Sequence, residues 1–361
     1  MASNGGEASG HRNASSNVKR SVPFIAPGDL EYVAALALAA GLNALPSAIR
    51  ASVIHRLSRW VGTVLHMTNR GTVRRVRRHL QYLFPSQASG VQLESLVREQ
   101  LVMSSWNAFI LNLLPSLRDE YAAGLLEVEG SHYLDGLRKR GERVLLLGAH
   151  YGAYGYAVVA ALSARGHPIW LVGYGDSRSP PPQTSYLYNK LYWPRVQRLN
   201  QRLRVTTVVP GAESQSELAG ILERGTDVVY LLPDQYFVVR PGQDCPSNLV
   251  PLRLLNHTVY LDVSGLQLAK QMGCRPLTAM PVNAGPAPQR ILIEPIEWVS
   301  DGTTTADIGQ DLQAFLSRLE GRLLAYPAWW RDLRRRDLFL RLGVFEGEGS
   351  AGERNHDAIN C

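Results

Sequence analysis

Cysteine is scarce in this sequence, and its few copies stand far apart. The 361 residues include three cysteines, Cys245, Cys274 and Cys361. No two of them have the spacing of a zinc motif, and an odd, scattered number is typical of reduced thiols in a cytoplasmic setting rather than of a disulfide framework. We therefore expect no zinc site, and the sequence gives no reason to invoke a metal or redox cofactor.

The sequence also lacks a membrane-spanning run and a secretion signal. The apolar stretch from Tyr32 to Leu45 is shorter than the ~20 apolar residues that a helix needs to cross a bilayer. Residues 1–29 are rich in Gly, Ser, Asn and Ala and have no apolar core, which predicts a disordered basic tail. Residues 344–361 have the same character and are predicted to form a flexible tail.

Acidic residues are outnumbered by basic ones. There are 38 Lys and Arg against 31 Asp and Glu, which gives a formal net charge of +7. This excess favours an anionic partner, which could be nucleic acid, an anionic membrane surface or a phosphorylated ligand. Composition alone does not choose among them, but 45% hydrophobic residues in a chain of this length are enough for a full core.

Residues 30–118 are predicted to be helical and to lie at a membrane surface. After Pro46, apolar residues recur at helical spacing with arginines on the other faces, which suits a basic amphipathic helix at an interface. An ordinary surface helix packed on the core explains the pattern equally well. The arginine-rich stretch from Arg70 to Arg78 would attract anionic lipid, and no nucleic-acid recognition motif accompanies it. We therefore predict an anionic membrane surface as partner, and no nucleic acid.

Residues 119–343 alternate short apolar strands with single helices. This order predicts an α/β fold with a mostly parallel central sheet and helices on both faces. We expect the segment between Leu232 and Ser264 to be a long loop. The predicted strands are Leu125 to Val128, Val144 to Leu147, Ile169 to Val172, Val205 to Val209, Val228 to Leu232, Leu277 to Val282 and Arg290 to Ile293. The predicted helices are Ser131 to Arg140, Tyr156 to Ser163, Tyr188 to Gln201, Glu213 to Arg224, Ser264 to Met272 and Thr305 to Ala325.

His150 follows the apolar run Val144 to Leu147 and is expected at the carboxyl end of a buried strand. Open α/β sheets bind ligands at this edge, and the glycine-rich turn around His150 lets the backbone approach a reacting group. A histidine at such a turn is structural about as often as it is catalytic. Asp234 ends the run that begins at Val228, so we expect it at the same sheet edge, where a carboxylate can also simply cap a turn.

Several sequence pieces occur in a characteristic order between Ala44 and Arg335. They are HLQYLFP, LEVEGSHYLDGLRKRGERVLLLGAHYG, QRLR, GTDVVYLLPDQ and SGLQLAKQMGCRPL. Together, these pieces resemble the lauroyl and myristoyl acyltransferases of lipid A biosynthesis and the related acyltransferases of bacterial phosphatidylinositol mannosides. No single piece is specific, but their order and spacing are.

The resemblance implies a set of catalytic residues, one of which is missing. In that family a histidine is followed five positions later by Glu or Asp, and a downstream arginine and aspartate support this dyad. His150 matches the histidine, Arg202 in QRLR the arginine and Asp234 in LPDQ the aspartate. Gly155 stands where the dyad's acid belongs, and no carboxylate occurs between residues 151 and 165. The chain therefore resembles a divergent member of the family.

The resemblance assigns a role to each matched residue. Acyl transfer to a hydroxyl needs a base for the departing proton, which would be His150. Asp234 would orient that base or stabilise its charge, and Arg202 would clamp an anionic group. Tyr151 and Tyr154 are substrate-binding candidates that could hydrogen-bond in the vacated region or line a lipid-chain groove. Gln235 is a third candidate, which either orients the aspartate or contacts substrate.

The carboxyl-terminal piece YPAWWRDLRRR departs from the family pattern of two aromatics separated by one residue. Here Trp329 and Trp330 are adjacent, and Asp332 occupies the second aromatic place. Interfacial tryptophans next to arginines would still anchor this end at a lipid headgroup layer.

The function implied by the resemblance is acyl transfer at the cytoplasmic face of the bacterial inner membrane, by a peripherally bound enzyme. A fatty acyl group would move from an acyl carrier protein or coenzyme A thioester, which is a co-substrate rather than a cofactor, to a hydroxyl or amine of a lipid-linked or glycolipid acceptor. Loss of the dyad's acid leaves two alternatives open. The chain could be a non-catalytic homologue that binds lipid or acyl carrier protein, or an acyltransferase repurposed for a specialised-metabolite acceptor.

Overall fold

The computed structural model describes residues 29–116, 124, 126–173, 185–186, 188–203, 205–207, 212–224, 227–240, 242–282 and 289–344. The predicted tails at 1–29 and 344–361 lie outside these residues, apart from Asp29 and Val344. The predicted boundary between residues 118 and 119 also lies outside them.

The described chain begins with long helices and continues with alternating strands and helices. The helices are α1 (Asp29–Ala44), α2 (Ser47–Thr68), α3 (Arg70–Leu83), α4 (Gly90–Leu113), α5 (Ser131–Lys139), α6 (Tyr156–Ser163), α7 (Trp193–Arg202), α8 (Ala212–Glu223), α9 (Ser264–Gln271), α10 (Thr305–Ala325) and α11 (Leu338–Arg341). The strands are β1 (Leu126–Glu129), β2 (Val144–Leu147), β3 (Ile169–Gly173), β4 (Val205–Thr207), β5 (Val228–Leu231), β6 (Leu249–Leu254), β7 (His257–Asp262), β8 (Arg275–Val282) and β9 (Gln289–Pro295).

Seven of the described strands form one sheet in the order β1, β9, β8, β2, β5, β3, β4. All neighbours in it pair in parallel except β8 and β9, which are antiparallel. The prediction of an α/β fold with a mostly parallel sheet is therefore confirmed.

Strand β2 lies in the middle of the sheet and is buried on both faces. Val144 and Leu146 pack into one hydrophobic cluster, whereas Leu145 and Leu147 pack into another, and helical residues contribute to each cluster. All four side chains are at most 2% exposed. Burial on both faces explains why this strand shows no polar alternation in the sequence.

The predicted long loop before Ser264 was wrong, because it contains a hairpin. Strands β6 and β7 pair antiparallel, and Leu255 and Asn256 form the turn with φ values of 49° and 64°. Positive φ at both central residues is the geometry of a type I′ turn, which suits a two-residue hairpin. The hairpin packs against α10 through residues such as Val250, which lies against Gly309.

The predicted helix from Tyr188 to Gln201 is interrupted near its start. Residues Tyr188–Tyr192 form a π-helical turn, and α7 begins only at Trp193. Pro194 has no backbone N–H to donate to the carbonyl four residues earlier, so a regular α-helix cannot continue through this point. A proline is well tolerated in the first turn of a new helix, which is where it stands in α7.

The N-terminal helices pack closely against one another and against the sheet. A Cβ atom on Gly62 of α2 would lie 2.6 Å from the Cα of Val102 in α4, so glycine permits this close crossing. Further along α4, Asn107 Nδ2 donates to the Gly152 carbonyl at 2.9 Å, which ties the helix to the turn after β2. Among the described helices, none is both long and apolar enough to cross a bilayer.

The carboxyl-terminal tryptophans are part of the core. Trp329 and Trp330 are 6% and 0% exposed, and the Trp329 indole N–H donates to Glu99 at 2.9 Å. The expectation that these residues anchor the chain in a headgroup layer was therefore wrong, because buried side chains cannot reach lipid.

Candidate active site

Two neighbouring parallel strands bring His150 and Asp234 together. In the register of β2 and β5, Leu147 pairs with Leu231, and Gly148 N–H donates to the Leu231 carbonyl at 2.9 Å. His150 and Asp234 each follow three residues after these partners. Equal spacing beyond paired strand ends places both side chains at the carboxyl edge of the sheet, where ligands bind in this class of fold.

Asp234 holds both the ring and the backbone of His150. Its Oδ1 lies 2.9 Å from His150 Nδ1, and its Oδ2 accepts the His150 backbone N–H at 2.6 Å. The aspartate is 1% exposed, whereas the histidine side chain is 18% exposed. A carboxylate on Nδ1 selects the tautomer with its proton there, so Nε2 is left with a free lone pair. This is the arrangement of an oriented general base.

The histidine opens onto a cavity of about 570 Å³. One part of its lining is apolar and comes from α4, β3 and the residue after β5, namely Met103, Ala108, Ile110, Leu111, Leu171, Val172 and Leu232. Another part is polar and includes His150, Asp234, Arg331, Asp332, Arg334 and Arg335. A pocket with an apolar wall and a few converging polar groups suits a substrate with an apolar chain and a polar reacting end.

The turn after His150 explains why position 155 is a glycine. Gly155 has φ +56°, a conformation that residues with a Cβ rarely adopt. A Cβ would meet nothing closer than Leu232 Cδ1 at 4.0 Å, so the restriction comes from the backbone and not from space. An acidic side chain at this position would therefore be strained. Asp234 already contacts Nδ1 of His150, which is the atom that such an acid would have to bind.

The carboxyl-terminal segment forms a second wall of the site. Gly152 N–H donates to the Trp329 carbonyl at 2.9 Å, and Arg331 N–H donates to the His150 carbonyl at 3.0 Å. This pairing brings Asp332 and three arginines into the cavity lining, Arg331, Arg334 and Arg335. Sequence reasoning missed these residues as site residues. The available signal was a single carboxylate within a run of arginines, but nothing local indicated that the run folds back onto β2.

Asp332 is a buried carboxyl group in this wall. It is 3% exposed, and its Oδ1 has no hydrogen-bond donor among the described residues. Its nearest ion-pair partner among the described residues is Arg335 Nη1, at 3.7 Å. Burial raises the pKa of Asp332, while the nearby positive charges, that of a protonated His150 first among them, oppose the rise only in part.

Two of the predicted substrate-binding residues line the cavity. The Tyr154 ring lies 5.0 Å from the His150 ring in an edge-on arrangement, and the Arg331 guanidinium lies 5.7 Å from the Tyr154 ring centre. Burial raises the pKa of Tyr154, so its hydroxyl stays protonated at neutral pH. Gln235 also lines the cavity, next to Asp234.

Two other predicted site residues do not belong to this cavity lining. Tyr151 is 0% exposed, and its hydroxyl donates to the Arg322 carbonyl at 3.0 Å, so it packs behind the site instead of facing substrate. Arg202 is exposed at the end of α7, where its Nη2 donates to the Leu114 carbonyl at 3.4 Å. Arg202 therefore lies outside the lining of the His150 cavity, and its expected role as a clamp for an anionic group stays a prediction.

The fold and the site together define a class of protein. An oriented histidine base at the edge of a mostly parallel sheet, beside an apolar-walled cavity, is suited to group transfer onto a substrate hydroxyl. A family model described as bacterial lipid A biosynthesis acyltransferase matches residues 26–244, which is more than half of the chain. The chain therefore belongs to this family, and the family supports acyl transfer as its activity. A comparison with curated proteins finds no match.

Proposed function

We propose that this acyltransferase moves a fatty acyl group from an acyl carrier protein or coenzyme A thioester to a hydroxyl of a lipid-linked or glycolipid acceptor. The observation that carries the proposal is the contact of Asp234 with Nδ1 of a histidine whose ring opens onto an apolar-walled cavity. Family membership supports the acyl-transfer chemistry. The apolar lining supports a fatty acyl chain as the transferred group.

His150 is the general base of the proposed reaction. Its Nε2 takes the proton from the acceptor hydroxyl as the oxygen attacks the thioester carbonyl carbon. The new C–O bond forms, the C–S bond breaks, and the proton passes from His150 to the departing sulfur. Asp234 stabilises the imidazolium that exists between these two proton transfers, so it takes over the part of the acid that is missing at position 155.

The outward face of α2 supports a membrane-bound acceptor. Trp60 and Met67 are 66% and 64% exposed, and Arg56 and Arg59 are exposed on the same helix. Large apolar side chains next to arginines suit the interface of an anionic bilayer. We place the enzyme peripherally on the cytoplasmic face of the inner membrane, because carrier-protein and coenzyme A thioesters are cytoplasmic donors.

The test is acyl transfer by the full chain in mixed micelles. Palmitoyl carrier protein and palmitoyl coenzyme A are offered separately as donors, with a lipid A precursor, a phosphatidylinositol mannoside or a soluble polyol as acceptor. We expect an acylated lipid product that His150→Ala reduces by a factor of about 10² to 10⁴ and that Asp234→Asn also reduces strongly. His132→Ala, which changes an exposed histidine outside the cavity, should match the wild type.

The outcomes separate the proposal from its alternatives. Acylation of the soluble polyol alone would support a specialised-metabolite acceptor in place of a lipid. Donor binding without transfer to any acceptor would support a non-catalytic binding role. Undiminished transfer by His150→Ala would show that another group removes the acceptor proton.

A further inference from the structure

Two arginines of the cavity wall form no ion pair within the part of the chain that the structure describes. Arg331 and Arg334 line the cavity, and neither guanidinium makes a hydrogen bond or an ion pair with any described residue. Other arginines of the same segment differ in this respect. Arg335 and Arg341 both pair with Asp337, at 3.2 Å and 2.5 Å. The acidic residues of this segment therefore pair with Arg335 and Arg341, and not with Arg331 or Arg334.

The surroundings of the two arginines leave positive charge uncompensated. Burial lowers the pKa of Arg334, the nearby Tyr154 opposes this shift, and the positive charges of Arg331 and Arg75 add to it. The acidic residue nearest in sequence is Asp332, whose ion pair among the described residues is with Arg335 and whose pKa is raised by burial. Cations that face a cavity without partners raise the local potential and favour a bound anion.

The Arg331 side chain is held toward the cavity. Its guanidinium lies 5.7 Å from the ring centre of Tyr154, whose ring in turn lies against His150. Its backbone N–H is bound to the His150 carbonyl. An anion bound here would therefore lie beside the reacting histidine, and the planar guanidinium suits two parallel hydrogen bonds to a phosphate.

We propose that Arg331 and Arg334 bind a phosphate group of a substrate at the mouth of the His150 cavity. This inference rests on the proposed function and names two residues of the cavity wall that hold the anionic part of a substrate. The phosphate belongs either to the phosphopantetheine arm of the donor or to the headgroup of the acceptor. Both arginines lie outside residues 26–244, the part of the chain that the family model matches.

The experiment measures equilibrium binding to the full chain, so that it does not depend on turnover. Phosphopantetheine is compared with pantetheine as a probe of the donor, and N-acetylglucosamine 1-phosphate with N-acetylglucosamine as a probe of the acceptor. We expect the wild type to prefer one phosphorylated probe, and Arg331→Gln and Arg334→Gln each to weaken its binding about tenfold, since a charged hydrogen bond contributes about 1.5 kcal/mol or more. The unphosphorylated partner should be unaffected.

Arg336→Gln is the matched control, because Arg336 is exposed on the same segment and does not line the cavity. Its binding should equal that of the wild type. The probe that responds identifies the source of the phosphate. Equal binding of phosphorylated and unphosphorylated probes, or equal losses in the Arg336 variant, would overturn the inference. If phosphate binding depends on the two arginines but no acyl transfer is found, only the proposed function fails.

Discussion

At the scale of single residues, a substitution at position 155 tests whether Asp234 compensates for the acid that is missing there. Gly155 has φ +56°, and Asp234 already contacts Nδ1 of His150. We predict that Gly155→Glu does not raise the rate of acyl transfer and lowers the free energy of unfolding by about 1 to 2 kcal/mol, because a side chain is strained in this backbone conformation. Thermal unfolding and acyl-transfer rates check both parts.

Gly155→Ala is the control for this variant. It carries the same backbone strain without a carboxylate, so it should be destabilised to a similar degree. A faster Gly155→Glu enzyme beside an unimproved Gly155→Ala enzyme would show that the site still lacks an acid and that Asp234 does not replace it.

Asp332 makes a pH-dependent contribution to stability that can be derived from its burial. Because burial raises its pKa, the folded chain binds this proton more tightly than the unfolded chain, and stability falls as pH rises above the ordinary range of a carboxyl group. Asp332→Asn cannot ionise. We predict that it is more stable than the wild type at pH 7, by about 1 kcal/mol or more. Urea unfolding at a series of pH values should show this advantage shrinking toward pH 4.

Asp307 is the comparison for that series, since its shift has the opposite sign. Hydrogen bonds from the side chain and backbone of Thr304 lower the pKa of Asp307. Asp307→Asn should therefore be less stable than the wild type at neutral pH, with the loss disappearing in acid. If Asp332→Asn followed the same pattern as Asp307→Asn, the carboxyl at 332 would have to be stabilised in its charged form.

At the scale of elements, one buried ion pair fixes α9 against α10. Lys270 of α9 donates to Asp311 of α10 at 2.6 Å, and Asp311 also accepts the backbone N–H groups of Val299 and Ser300. The aspartate is 4% exposed. We predict that Asp311→Ala lowers the free energy of unfolding by about 3 to 5 kcal/mol, because it leaves a buried ammonium group without its counter-charge and with only the two oxygens of Ser300 as acceptors.

Chemical denaturation measures this loss. Asp301→Ala removes an exposed carboxylate from the loop before α10, which also contains Val299 and Ser300. It should change stability by no more than about 0.5 kcal/mol. A loss of the same size in both variants would mean that the loop, and not the ion pair, carries the stability.

The elements that could be predicted from the sequence are those whose burial is visible in local composition. The uninterrupted apolar run gave β2 its observed bounds, and α6 and α10 also begin and end where their patterns predict. The hairpin of β6 and β7 was missed, because Pro251 and Arg253 interrupt its apolar residues and the alternation that marks a half-buried strand was overlooked.

The candidate site likewise has one part that could be predicted from the sequence and one part that could not. His150 and Asp234 could be placed at one edge of the sheet because each follows the end of a predicted strand, and parallel strands have a common edge. The wall formed by residues 331–335 could not, because it depends on pairing between Gly152 and Trp329, which are far apart in the chain. A local pattern of tryptophans and arginines carries no information about such a partner.

At the scale of the whole molecule, the helix that packs against α4 also presents a basic and apolar face outward. Arg56, Arg59 and Trp60 are exposed on α2, and the net charge of the chain is +7. We predict that the full chain sediments with vesicles containing anionic phospholipid and much less with neutral vesicles. Each arginine near such a surface contributes about 1 kcal/mol, so Arg56→Gln combined with Arg59→Gln should weaken binding by a factor of about 20 to 30.

Two further measurements separate charge from insertion at this face. Salt screens exposed charges over a distance of about 8 Å at physiological ionic strength, so binding by arginine alone should be lost as salt is raised. Trp60→Ser should weaken binding even at high salt, because burying the indole among headgroups does not depend on screening. Arg318→Gln, an exposed arginine on α10, should leave binding unchanged. If Arg318→Gln weakened binding as much per charge removed as the Arg56→Gln and Arg59→Gln double variant, net charge, and not the face of α2, would attract the chain to the bilayer.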